Sequence, residues 1–386
     1  MAIKFISHNI VETVRIRINN LIALAVFSTL RIFFLKKNQD SSNSILFINT
    51  GLLGDVIIST VIFVNEKELF KLFDKIYFVV NKQYEEVFNG YTGGINIIYL
   101  DFMKYRFRIP YRINFLSELK KLKVNKSFNI SFARRIIDDE ISLLNGAEEK
   151  ICYSNNPKMV KSFSKYMDSF YDDIRKPGTI NHFNELAGLL KQYGVADPIN
   201  ATKVFCINSR PEFKKFDFDN IKGRKIISVS PFASNPLKNW EWAKYIELIN
   251  MIINEYDPAI FILGDNKKLG YLIDRERFDG KVINALGLTS LFQASYILSM
   301  SELFVGNDSG LYHIAKAYNI KRICISGGGA MNITQPYSSG ENEVLLYKEM
   351  DCFGCHWKCI YDYAFCMQDV SPLQAFDSVK KVLSDD

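Results

Sequence analysis

At 386 residues the chain is too long for one compact core, and its length points to two domains. Its 48 Lys and Arg exceed its 42 Asp and Glu only mildly and form no long basic run. That balance excludes a dedicated nucleic-acid binder and suits an anionic substrate or a membrane surface. Seven cysteines, four of them crowded between Cys352 and Cys366, do not resemble a secreted disulfide framework and point to a reducing compartment.

The first element, residues 1–40, contains an almost continuously apolar run from Leu21 to Leu35, flanked by Arg15, Arg17, Lys36 and Lys37 and interrupted by Arg31. A spanning helix needs about 20 apolar residues, so this run is expected to lie on an anionic leaflet as an interfacial helix. A helix packed on the first domain is the other reading, and no small-residue cleavage site follows to mark a signal peptide. After the polar break Asp40–Ser44, short apolar runs alternate with longer helical patterns, the signature of strand-helix-strand units and a parallel sheet. Ile45 to Asn49 reads as the first strand. Ile76 to Val80, Ile95 to Leu100 and Phe128 to Ser131 follow, with a helical stretch Phe115 to Lys123 between them. This first domain spans 41–205. The charged, aromatic stretch Ser209 to Lys225 reads as a linker, and a second series of strands begins at Lys225–Ser230, continues through Ala259–Gly264 and Leu303–Gly306, and reaches Arg322–Ser326. The second domain is therefore 206–386. The fold class is α/β, with two doubly wound domains, and ligands in such sheets sit beyond the carboxyl ends of the strands.

Four stretches at those strand ends carry candidate chemistry. Strand one ends in Thr50-Gly51-Leu52-Leu53-Gly54-Asp55, where two glycines make a tight turn and Asp55 opens a helix. This is not the dinucleotide fingerprint, whose glycines and later acid are spaced differently. A carboxylate at a helix start is kept ionised by the dipole, worth about 0.3–1 kcal/mol, and can accept a proton from a hydroxyl. The plainer reading is that Asp55 caps its helix. In the second domain, Ser234 and Lys238 in the loop Ser230–Trp240 suit a diphosphate, the lysine as point charge and the hydroxyl as donor. The stretch Gly306-Asn307-Asp308-Ser309-Gly310 ends a buried strand and opens a helix whose free amides attract anions. His313, one turn after Ser309, lies on the same helix face. In the first domain, Lys104–Arg108 and Tyr111–Arg112 interleave cations with aromatics, and Arg134 and Arg135 follow a strand end; an acidic or phosphorylated lipid-linked glycan suits them as well as a solvated basic loop does.

Together these residues resemble glycosyltransferase family 9, typified by ADP-heptose:lipopolysaccharide heptosyltransferases. The resemblance rests on Gly51–Asp55, on Phe132–Tyr153 with Asn145-Gly146-Ala147, on Ser230–Trp240, and on Gly306–Gly310 followed by His313 and Ala315. It implies two facing Rossmann-like domains of the GT-B type and metal-independent, inverting transfer from a nucleotide sugar. It further implies Asp55 as general base; Gly54 beside it, and Arg134 and Arg135 from their place after a strand end, are the acceptor-side candidates. The diphosphate would be held by Ser234, Lys238, the amides of Ser309 and Gly310, and His313, with Asn307 and Asp308 beside them. Implied partners are a nucleotide-sugar donor, ADP-heptose first, and a glycolipid or lipid-linked glycan acceptor; the apolar N-terminal run, not the resemblance, points to a peripheral place on the inner face of the cytoplasmic membrane. A UDP- or GDP-hexose donor keeps the same fold, and a non-catalytic sugar-nucleotide-binding protein is the rival from another class. The chain departs from the family pattern at Leu311-Tyr312 and in the glycine-rich Ser326–Gly329.

Cys352-x2-Cys355-x3-Cys359-x6-Cys366 admits a structural zinc, reduced thiols or disulfides, none of which catalysis requires. A terminal helix, Pro372 to Leu383, is expected to pack back on the first domain.

Overall fold

A computed structural model of the chain describes residues 2–38, 42–154, 161–176, 181–206, 210–216, 218, 221–276, 278, 280–329, 331, 333–337, 342–361 and 363–384, with side chains from residue 17 onward except that of Lys161. Of the polar break and linker read from the sequence, residues 40–41, 209, 217 and 219–220 lie outside these, as does the side chain of Arg15. The chain forms two compact units, residues 1–85 with 92–200 and residues 86–91 with 201–386.

Each unit is built on a parallel six-stranded sheet. In unit 1 the strands are β1 (Ser42–Asn49), β2 (Lys75–Asn81), β3 (Asn96–Leu100), β4 (Val124–Asn129), β5 (Glu149–Tyr153) and β6 (Asp173–Arg175), in the order β3-β2-β1-β4-β5-β6. Unit 2 has β7 (Ile226–Ser230), β8 (Ala259–Ile262), β9 (Val282–Asn284), β10 (Leu303–Asn307), β11 (Lys321–Ile325) and β12 (Glu343–Leu346), in the order β12-β11-β10-β7-β8-β9. The two orders are the same doubly wound pattern. In each, the strand order reverses between two central strands, β1 and β4 in unit 1 and β7 and β10 in unit 2, and the crevice at that reversal is where such sheets bind ligands.

The central strands read as continuous apolar runs because helices cover both faces. Ile45 to Ile48 are fully buried, with Ile48 in register with Val79 on one side and Asn129 on the other. Val305 pairs in the same way with Val229 and Ile323. The edge strands β6 and β12 escape a hydropathy reading because Asp173-Ile174-Arg175 and Glu343-Val344-Leu345-Leu346 are short and only partly buried.

Three expectations change. The stretch read as a linker is packed into unit 2: the rings of Phe216 and Phe218 lie 6.2 and 5.6 Å from Phe261, and Phe213 lies 5.9 Å from Tyr296. The terminal helix Pro372–Ser384 packs within unit 2, not unit 1, since Ala375, Val379 and Val382 complete the cluster around Trp240, Tyr245 and Ile249. The N-terminal helix, Ala2–Phe34, is 33 residues long, and its segment Arg17–Phe34 is long and apolar enough to cross a membrane by length and composition. Phe27 and Leu30 are nonetheless buried in the core of unit 1 with Leu46, Leu116 and Ile141.

Candidate active site

In unit 1 the site residues gather at the carboxyl ends of β1 and β4. Asn49, buried at the end of β1, spans the turn that follows. Its Nδ2 donates to the Asp55 carbonyl at 3.0 Å, and its Oδ1 accepts the Gly51 N–H at 3.0 Å. A Cβ on Gly51 would fall 2.8 Å from Asp55 Oδ2 and 2.9 Å from Asn49 Oδ1, so the turn demands glycine there. Asp55 is the third residue of the helix Leu53–Ser59, and its Oδ2 accepts the Leu52 N–H at 3.1 Å. The capping role and an open carboxylate are therefore compatible, because the side chain remains 23% exposed. Gly54 lies half-buried in the same first turn.

A residue with no motif around it joins Asp55. His182 opens the helix His182–Gln192, capped by Asn181, and its buried ring puts Nδ1 4.0 Å from Asp55 Oδ1 while Nε2 lies 3.3 Å from the Ile130 carbonyl. Arg135 is anchored over the same turn. It donates to the Thr50 carbonyl at 2.7 Å, forks onto buried Asp138 at 2.9 and 3.0 Å, and covers the Phe102 ring at 4.5 Å. Burial disfavours its charge, but Asp138 foremost, with Asp55 adding, outweighs that and raises its pKa above the ordinary guanidinium value. About a third of the Arg135 side chain stays exposed beside Asp55.

Arg134 differs. It is fully buried, and its guanidinium is committed to Asp139, Asp168, Cys152 Sγ and the Tyr153 carbonyl, with the Tyr171 ring 5.1 Å away. The expectation that it faces an acceptor gives way to a framework role, since a buried arginine with its donors engaged offers a ligand nothing. Arg112 is likewise internal, forked onto Glu140 beneath the Tyr105 ring. Lys104, Arg108, Met103, Phe107 and Ile109 remain exposed.

In unit 2 the site residues gather at the carboxyl ends of β7 and β10. Lys238 Nζ meets Asp308 Oδ2 at 2.7 Å, joining the loop after β7 to the residue after β10. Asp308 is almost fully buried, and its Oδ1 also lies 3.4 Å from Gln335 Nε2 and 3.5 Å from His313 Nε2. Burial alone would raise this carboxyl, but Lys238 and then His313 outweigh burial and hold its pKa far below the usual carboxylate range. His313 sits behind Asp308, its Nδ1 2.7 Å from the Tyr337 hydroxyl and its ring stacked on Tyr337. An Nε2–H facing the carboxylate leaves Nδ1 to accept the Tyr337 proton, so His313 acts on the site through Asp308.

Asn307, expected to touch a donor, is instead an internal clamp. It donates to the Pro231 carbonyl at 2.5 Å and accepts from Trp240 N at 3.3 Å and the Tyr245 hydroxyl at 2.9 Å, which fixes the Lys238 loop against β10. The loop is tied from its other side by the Trp240 indole N–H, which donates to the Val370 carbonyl at 3.0 Å. Ser234 is exposed on the same loop. Ser309 caps the helix Gly310–Ala317 by its backbone only, and its buried hydroxyl has no partner; the same holds for the buried hydroxyls of Ser230, the last residue of β7, and Ser326 after β11. Lys238, with a quarter of its side chain exposed, and the amides of Ser309 and Gly310 thus stand at the ends of the neighbouring strands β7 and β10.

Cys352, Cys355, Cys359 and Cys366 are free thiols, and among the described residues no group of three or more His, Cys, Asp or Glu gathers closely enough to hold a metal. Burial raises the pKa of Cys355 and Cys366. Gly327 to Gly329 is glycine-rich because this cysteine segment lies on it: a Cβ at Gly327 or Gly329 would meet the Trp357 ring within 2.7 or 2.6 Å.

Known proteins resemble this chain in part of its sequence and in its fold. Residues 174–360 match the model of glycosyltransferase family 9 (heptosyltransferase). Lipooligosaccharide heptosyltransferase 2 of Campylobacter jejuni is 27% identical over 166 residues, covering 42% of this chain and 52% of that protein. The chain thus spans about half the length of the curated relatives it matches. A family 9 glycosyl transferase structure from Veillonella parvula superposes with a TM-score of 0.67 at 16% identity, over 91% of this chain and all of the other. The ADP-heptose lps heptosyltransferase II of Escherichia coli superposes with a TM-score of 0.62 at 17% identity, over 88% and 98% of the two chains. Residues 174–360 thus match glycosyltransferase family 9 (heptosyltransferase), and the chain as a whole shares the fold of these solved glycosyltransferases.

Proposed function

We propose that the chain is an inverting glycosyltransferase that moves a heptose from ADP-heptose onto a lipopolysaccharide-type or other envelope glycan, without a catalytic metal. The observation that carries this reading is the Lys238–Asp308 pair at the reversal of the unit 2 sheet, set beside the helix start at Ser309 and Gly310. A diphosphate suits the exposed part of the Lys238 ammonium and the free amides of the helix start. Relatives named as lipooligosaccharide heptosyltransferases support heptose as the sugar.

Unit 1 supplies the base. Asp55 takes the proton of an acceptor hydroxyl as that oxygen attacks the anomeric carbon from the face opposite the diphosphate. The bond from that carbon to the phosphate oxygen breaks, the configuration inverts, and the nucleoside diphosphate departs with the electron pair. Lys238 and the helix amides stabilise the charge on the leaving oxygen, which is electrostatic preorganisation in place of a metal. Arg135, held over the Asp55 turn, is suited to an anionic group of the acceptor.

The second reading, a UDP- or GDP-hexose donor, is separated by thermal unfolding of the full chain with ADP, UDP and GDP in parallel. The heptose reading expects ADP to raise Tm most, and a larger rise with UDP or GDP overturns it.

A cytoplasmic site at the inner face of the cytoplasmic membrane fits the surface of unit 1. Ile18, Leu21, Ile22, Ile32 and Phe33 of the N-terminal helix are exposed, as are Met103, Phe107 and Ile109 near Lys104 and Arg108. Because Phe27 and Leu30 of that helix are bound into the core, it suits lying in the interface rather than crossing it. Flotation with anionic phosphatidylglycerol vesicles should carry the wild type upward and leave Ile22→Asp/Phe33→Asp in the dense fraction. Equal flotation of the two removes the helix from the membrane contact.

A further inference from the structure

The cysteine-rich segment does more than fill space, because it delivers Trp357 to Lys238. The Lys238 ammonium lies 5.1 Å from the Trp357 ring centroid. The indole lies so close to the backbone that a Cβ at Gly327 or Gly329 would come within 2.7 or 2.6 Å of it, so both positions after β11 require a bare backbone. The segment is held there by the Gly354 N–H, which donates to the Gly328 carbonyl at 2.8 Å. Reaching this position puts two adjacent non-glycine residues, His356 and Trp357, in the left-handed region, with φ of +52° and +62°. Such conformations are disfavoured and persist where the surroundings over-determine them, commonly at ligand sites. Trp357 is half-buried, so part of the indole remains open to a ligand. Beside it, at the end of β11, the buried Ser326 hydroxyl has no partner.

We propose that Trp357 is a ligand-contact residue of the donor site, an aromatic wall that closes beside the diphosphate on Lys238 and lays its face against the sugar carbons next to the phosphates. This rests on the reading of Lys238 as the diphosphate lysine. The indole attracts and orients the ammonium through its ring, and excludes water from the ion contact that the ammonium makes with phosphate.

The test titrates ADP, UDP and GDP into the full-length wild type, Trp357→Ala, Trp357→Phe, Gly329→Ala and Lys238→Ala, following heat and intrinsic fluorescence. Gly329→Ala leaves both side chains intact and only displaces the indole. For the nucleotide that binds best, Trp357→Ala and Gly329→Ala should weaken affinity about tenfold and Trp357→Phe only about threefold. The fluorescence change of the wild type on binding should vanish in Trp357→Phe, although Trp240 and Trp242 remain; this readout also stands if the alanine variant does not fold. Wild-type affinity in Trp357→Ala and Gly329→Ala, with binding lost in Lys238→Ala, overturns the proposal and leaves the Lys238 reading intact. Failure of every nucleotide to bind the wild type, or full affinity in Lys238→Ala, overturns both.

Discussion

Asp55→Asn is expected to lower the rate of transfer by about 10³-fold while leaving donor affinity within about twofold of the wild type, the range a positioned general base contributes. The substitution is chosen to isolate the proton. Asp55 Oδ2 accepts the Leu52 N–H, and an asparagine carbonyl oxygen preserves that bond, so the turn after β1 and the helix Leu53–Ser59 survive. What disappears is the basicity of the carboxylate, together with its charge beside Arg135 and the helix start. If Asp55 only capped its helix, Asn would serve nearly as well and transfer would continue near the wild-type rate. Comparing kcat with nucleotide affinity in the same preparation separates the two, because a damaged fold would lower both.

Lys238→Ala should have two effects of different origin. Nucleoside-diphosphate affinity should fall about 10- to 100-fold, the loss of one charge-assisted contact. Stability should fall as well, because Asp308 is left buried without its main counter-charge. Breaking a fully buried pair costs about 3–5 kcal/mol, and solvent screening of Lys238, a quarter exposed, reduces the expected loss to about 2–3 kcal/mol. The pH dependence follows from the lowered pKa of Asp308. A depressed folded-state pKa contributes stability that is fully present above the unfolded carboxyl value near ~4 and is lost as pH falls through the folded value. Removing Lys238 takes that contribution away, so the deficit of the variant should be largest at neutral pH and shrink below about pH 4. Urea unfolding at pH 7 and pH 3 measures it; a deficit that grows on acidification contradicts this account. Asp308→Asn in the Lys238→Ala background should restore much of the lost stability without restoring nucleotide affinity.

Much of this was legible in the order of residues. Fully buried central strands leave an unmistakable apolar run, as at Ile45–Ile48 and Leu303–Val305, and glycines beside a polar helix start mark the turns at Gly51 and before Gly310. Those signals sufficed for two doubly wound units and for placing Asp55, Lys238 and Asp308 just beyond strand ends. They failed wherever a role depends on contact at long range. Arg134 and Arg135 are neighbours in sequence, yet one is locked inside by Asp139 and Asp168 and the other lies over the Thr50 turn. Asn307 reads as part of an anion loop but is used up on Pro231, Trp240 and Tyr245. His182, Tyr337 and Trp357 carry no local motif, because each reaches its partner from a distant stretch of chain. The glycine run at 327–329 was a visible departure from the family pattern, and only the packing of Trp357 and Phe353 upon it gives the reason.

The most direct measurement is nucleoside-diphosphate release from ADP-heptose by the purified full-length chain, with and without a heptose-acceptor lipopolysaccharide core, in the presence of EDTA. The account predicts acceptor-dependent ADP release that persists in EDTA and inverts the anomeric configuration of the transferred heptose. Binding of ADP-heptose without acceptor-dependent release would contradict it and leave a sugar-nucleotide-binding protein in place of a transferase.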